Sequence, residues 1–126
     1  DDSDNRASNK KSKIDALQLN ANDEQKLYAL IELQKFDGYF EFVENMIKIP
    51  EMDRHDSIVG QVRPMVSRTC SEDVWTTLYV IAYLRTKMCA FRNEWEMIED
   101  KAMRWLEGQH IGGDIANIIR QLQKLI

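Results

Sequence analysis

Disulfide scaffolding is the first thing this sequence lacks. Cys70 and Cys89 are its two cysteines, too few to staple a small secreted fold, so both are expected as reduced thiols in a cytosolic protein. No apolar run approaches the roughly 18 residues that suggest a membrane-spanning helix. The N-terminus has no basic, then apolar, then small-residue leader, so secretion is not expected. Because the chain begins with Asp1 rather than Met, a piece of a longer protein is the expectation. Positive charge is in deficit. Seventeen Lys and Arg stand against 21 Asp and Glu, a net of -4, which excludes a phosphate-tracking surface as the main business of the chain. GxxxxGK[ST], GxGxxG and GxSxG are all missing, and no internal repeat is visible.

What is present fits one soluble domain. The chain has 126 residues, 44% of them hydrophobic and 30% charged, enough apolar material for a core and enough charge to keep it in solution. Residues 1–21 mix charge with Ser and Asn and hold few apolar residues, which predicts a flexible tail or linker. The Lys10, Lys11, Lys13 cluster belongs to that solvated stretch. The expected helical domain is 22–126.

Asn22 or Asp23 is a good cap for a first helix over 23–36, in which Leu27, Leu30, Ile31 and Gln34 recur at helical spacing. Asp37-Gly38 should stop it. A short helix over 41–48 is predicted next, ending before Pro50, with a polar loop over 50–56. The helix expected over 56–69 carries Pro64, which should kink or split it. Ser71, with Glu72 and Asp73 in the first turn, caps a helix over about 72–88. Its run VWTTLYVIAYL is apolar on nearly every side, the mark of a buried helix. Asn93 is expected to cap 94–107, where Trp95, Ile98, Ala102 and Trp105 share a face. Gly112-Gly113 breaks the chain before a last helix from Asp114 with a stripe of Ile115, Ile118, Ile119, Leu122, Leu125 and Ile126. The sum is an all-α fold: a compact single domain of five to six helices around the 72–88 helix. Leu30, Trp75, Leu78, Ile81, Ala82, Trp95, Ile98, Ala102 and Trp105 are its expected core.

Chemistry finds little support. Glu51, Asp53, His55 and Asp56 crowd one loop, but no second His or Cys stands at metal spacing, so no metal or other cofactor is expected. His110 reads as a polar helix-end residue. Cys89 falls in an apolar helix, where burial would raise its pKa; Cys70 sits at a helix start, where the dipole would lower it, with no base named by the sequence. Glu94, Glu96, Glu99, Asp100 and Arg104 read as surface ion pairs. No catalytic residue is assigned, and an enzyme is not expected.

Three segments together resemble a known family. LIELQKFDGYF (30–40) resembles its helix followed by an acidic-Gly-aromatic turn, VWTTLYVIAYLR (74–85) its Trp-led buried helix, and EWEMIEDKAMRWL (94–106) its third signature. The family is the C-terminal domain of intracellular proteins with an inter-α-trypsin-type domain and a von Willebrand factor A domain. It is similar to the C-terminal region of the vault poly(ADP-ribose) polymerase, which binds the major vault protein. The match covers about residues 25–107. It departs at Tyr39-Phe40, where relatives often carry a Trp, and over Pro50–Cys70, which matches nothing convincingly. The polymerase chemistry and the metal-dependent adhesion motif lie outside this chain.

The resemblance implies a non-catalytic domain that docks its parent on a large cytoplasmic assembly, with the major vault protein of the vault ribonucleoprotein as leading partner. Direct nucleic-acid or membrane binding is not expected. The break in the helical pattern after the turn predicts exposed rings, so Tyr39, Phe40 and Phe42, with Lys35 and Asp37 at the rim, are the candidate partner-binding residues. The rival reading is a structural role, an intramolecular or self-associating helical clamp built on the C-terminal Ile/Leu stripe.

Overall fold

Asp23 and Glu24 open helix α1 (Asp23–Ile31) with the acidic first turn that a helix N-terminus favours. The structure is a computed structural model, and it describes residues 23–43, 46, 52–66 and 69–126. After α1 come α2 (His55–Val62), α3 (Glu72–Lys87), α4 (Arg92–Glu107) and α5 (Ile115–Leu125), with short 3₁₀ turns at Met52–Arg54, Arg63–Met65 and Cys89–Phe91. The architecture is all-α, and the expected tail over 1–21 lies outside the described residues.

Helix α3 is the axis of the fold. Ser71 Oγ accepts from the Val74 N–H at 3.3 Å, the cap its sequence position promised. Every residue from Val74 to Leu84 is buried, so neighbours cover the helix on all sides. α4 and α5 pack directly on it, and α2 fits against both α3 and α5. The C-terminal stripe is spent on this contact: Ile118, Ile119 and Leu122 are core residues, with Ile115, Leu125 and Ile126 packed beside them. The stripe thus packs within the chain, with Ile115, Leu125 and Ile126 only partly covered.

Helix α4 starts at Arg92, one residue before the expected Asn93 cap, and no side chain caps it. Its buried stripe is Trp95, Glu99, Ala102 and Leu106, while Ile98 and Trp105 are half-buried. The indole Nε1–H of Trp95 donates to the Met88 carbonyl at 2.7 Å, satisfying a group near the end of α3. Glu99 corrects the reading of this helix's acids as a surface cluster. It is 6% exposed and pairs with Arg85 across to α3. Among the described residues no ion pair joins Asp100 to Arg104.

Other departures are local. α1 ends at Ile31, short of the expected Phe36, because the Leu33 and Gln34 amides turn back to Leu30 and Ile31. Of the helix expected over 41–48, residues 41–43 are non-helical, Met46 is buried in a 3₁₀ position, and the rest lies outside the described residues. The 56–69 helix splits at Pro64 as expected, into α2 and the Arg63–Met65 turn. Asp114 caps α5 by accepting from the Ala116 N–H at 3.1 Å.

Candidate docking surface

The turn after α1 is built from the backbone up. Lys35 N–H donates to the Tyr39 carbonyl at 2.8 Å, and Gly38 N–H to the Lys35 carbonyl at 2.9 Å. Gly38 has φ +112°, a conformation other residues resist, and a Cβ there would stand 2.6 Å from the Lys101 carbonyl oxygen of α4. Glycine is required twice over, by backbone angle and by the close approach of two main chains. Gln34 Nε2 lies 2.9 Å from the Gly38 carbonyl and 3.0 Å from the Ile98 carbonyl, so its two amide hydrogens join the turn to α4.

On the other side the turn is tied to α3. The Phe40 N–H donates to Thr77 Oγ1 at 2.9 Å, while that hydroxyl donates its single hydrogen to the Asp73 carbonyl at 2.7 Å. The three segments that carry the family resemblance thus meet at one place. The acidic-Gly-aromatic turn is gripped between the Trp-led helix and the third signature helix.

The five candidate residues fare differently. Phe40 is 1% exposed and belongs to the core, which corrects its expected role as a contact ring. Its amide bond to Thr77 directs the chain inward rather than out. Tyr39 is half-buried and stacks on Trp105, ring centroids 4.9 Å apart. Lys35 and Asp37 are exposed, and Lys35 Nζ lies 3.3 Å from Glu41 Oε2. Phe42 is exposed at its rim and lies against His55, 4.8 Å between centroids. Only Lys35, Asp37 and Phe42 present themselves to solvent as expected.

Sequence reasoning missed the most accessible rings and thioethers. Phe36, at the tip of the turn, is 91% exposed, and the Lys101 ammonium sits 5.3 Å from its centroid. Met97 on α4 is 82% exposed. A signal existed: Met97 falls on the polar side of α4, out of phase with Trp95, Ala102 and Leu106. Phe36 had no comparable signal, because it directly precedes the turn where helical phase no longer applies.

His55 is buried at the start of α2, not on a solvated loop, edge-on to Tyr79 at 5.0 Å. Its Nδ1 lies 3.0 Å from Asp56 Oδ1 and its Nε2 3.3 Å from Thr76 Oγ1. Cys89 is exposed past the end of α3, contrary to the expected burial. The Cys70 thiol donates to the Ile111 carbonyl at 3.8 Å; burial pushes its pKa up, against the opposing pull of the Arg63 guanidinium. This reverses the expected helix-dipole effect. His110 is exposed in the left-handed region with φ 52°. Among the described residues no group of three or more His, Cys, Asp or Glu gathers to hold a metal, and no helix is long and apolar enough to cross a membrane.

The chain is similar to proteins that carry a von Willebrand factor A domain. It is 28% identical over 103 residues to von Willebrand factor A domain-containing protein 5A of Mus musculus, covering 82% of this chain and 12% of that protein. Against the Homo sapiens protein of the same name the identity is 25% over 97 residues, covering 77% and 12%. A von Willebrand factor A domain-containing protein of Dictyostelium discoideum is 32% identical over 66 residues, covering 52% of this chain and 7% of its own length. The chain thus spans 12% of the length of the 5A proteins it matches. No family model matches the chain. No solved structure matches it.

Proposed function

We propose that this chain is a non-catalytic docking domain that recruits a longer, cytoplasmic parent protein to a large assembly, with the major vault protein as its leading partner. One observation carries the docking reading: Phe36 stands 91% exposed at the tip of a turn whose backbone is fixed to two core helices. A large ring left in water on a rigid support is poor economy for a monomer and good geometry for an interface anchor, where Trp, Tyr and other rings concentrate binding energy. Resemblance to the C-terminal region of the vault poly(ADP-ribose) polymerase supports the choice of partner. Similarity to von Willebrand factor A domain-containing proteins supports a modular parent and is silent on what they bind.

The test is a titration of purified major vault protein with this chain, followed by calorimetry, after circular dichroism has established that the domain is folded. Saturable binding supports the partner. A folded domain that takes up no heat and does not co-sediment with the vault protein refutes it.

A further inference from the structure

Tyr28, Phe36 and Met97 are three large apolar side chains left exposed on the molecule, and α4 sets them in a row. Glu94, Met97 and Lys101 follow at spacings of three and four, so they stand on one stripe of α4. At one end of the stripe the Tyr28 hydroxyl donates to Glu94 Oε2 at 3.3 Å. At the other end Lys101 holds the Phe36 ring. Met97 lies between them. The stripe from Glu94 to Lys101 is about 10 Å long at the usual helical rise, two turns of helix.

Charge is graded along the row. The Tyr28 end is acidic: Glu94 accepts from the phenol, the Glu24 carboxylate acts on it electrostatically, and exposed Glu32 stands one turn along from Tyr28. Tyr28 is held protonated above the ordinary tyrosine range, first by partial loss of hydration and then by the Glu94 and Glu24 carboxylates. The Phe36 end carries Lys101 against the ring, while Lys35 is paired with Glu41 and Asp37 stands exposed beside Phe36. An anionic lipid surface would be repelled by the acidic end. Among the described residues the only β-pairing is the isolated Gln34–Phe40 bridge, so no open sheet edge is offered to an extended strand.

We infer that this row seats an amphipathic helix of the partner protein, whose apolar side chains at i, i+3 or i+4, and i+7 lie on Tyr28, Met97 and Phe36, and whose Lys or Arg meets the Glu24–Glu94 pair. The inference rests on the docking function proposed above and adds the face, the secondary structure and the charge of what binds. A two-turn row matches the reach of three such anchors. The acidic end sets which way the helix lies, since reversing it would take its basic residue from the Glu24–Glu94 pair to Lys101.

Purified major vault protein is the probe, titrated against the full chain and its Phe36→Ala, Met97→Ser, Glu94→Lys and Met65→Ser variants. All four positions are exposed, so unchanged urea midpoints are expected and are checked first. Phe36→Ala and Met97→Ser should each weaken binding about tenfold or more. Glu94→Lys should weaken it and flatten its salt dependence. Met65→Ser, outside the row and 51% exposed, should stay within about twofold, as most surface contacts do. The minimal vault-protein peptide that still binds should carry Lys or Arg and gain helical dichroism in the complex. Wild-type binding that survives Phe36→Ala and Met97→Ser overturns the face and leaves the docking function standing. A binding peptide that is extended or lacks a basic residue overturns the occupant. No binding by the wild type overturns both readings.

Discussion

Gly38 shows how much of this surface hangs on single atoms. Replacing it with Ala adds a methyl group 2.6 Å from the Lys101 carbonyl while keeping a φ of +112°. Neither the turn nor α4 can yield easily, because main chain meets main chain. Gly38→Ala should cost about 2 kcal/mol or more. Gly60 is the internal control, since nothing lies within 4 Å of a Cβ built there in α2. Gly60→Ala should stabilise by roughly 0.5–1 kcal/mol through helix propensity and a restricted unfolded chain. Urea melts of the two variants decide the matter, and equal midpoints would show that the turn is not clamped as described. The cysteines give a second contrast. Exposed Cys89 should react with a thiol reagent well before Cys70, whose thiol is held protonated by burial. Removing the opposing guanidinium in Arg63→Ala should slow Cys70 further at pH 8, read by timed mass spectrometry.

At the scale of elements, the Arg85–Glu99 pair makes α3 and α4 one unit. The Glu99 side chain is 7% exposed and that of Arg85 30%, so the carboxylate depends on its partner more than the reverse. Arg85→Met should therefore cost about 2–3 kcal/mol, below the usual figure for a fully buried pair because water reaches the guanidinium. An Arg85→Met/Glu99→Leu double variant should recover most of that loss, since the desolvation cost disappears with the charge. A double variant no more stable than the single one would argue that the pair contributes more than packing could replace. The elements also show what was legible in the sequence. α3 was readable because its Ser71 cap, acidic first turn and all-round apolar run agree, and α5 because Asp114 and the Ile/Leu stripe do. The end of α1 was not: the Leu33 and Gln34 amides turn back to Leu30 and Ile31 there, and the Gln34 side chain reaches the Ile98 carbonyl, 64 residues away. For the same reason Phe40 was misplaced: its burial follows from Thr77, not from its neighbours in sequence. His55 looked like a loop residue until Phe42 and Tyr79 closed over it. Of the proposed surface, the turn itself was legible from Asp37-Gly38, while the row across α1 and α4 exists only in the folded chain.

At the scale of the whole molecule, one core touches every described helix, from Leu27 and Leu30 of α1 to Ile119 and Leu122 of α5. Such a chain should unfold in a single step. Far-ultraviolet dichroism and the fluorescence of Trp75, Trp95 and Trp105 should give coincident urea transitions, with an m-value of about 1–3 kcal/mol/M. Fluorescence that changes before dichroism would mean that the turn and Trp105 loosen ahead of the core.

The turn owes its shape to main-chain atoms and to Gln34, Gly38 and Thr77, none of which reaches the tip. Residues 35–37 can therefore be exchanged without altering how the tip is held out. Over evolutionary time such a mount lets partner choice drift quickly while the fold beneath it stays put. In the laboratory it marks the place where a new binding specificity could be grafted with the least disturbance.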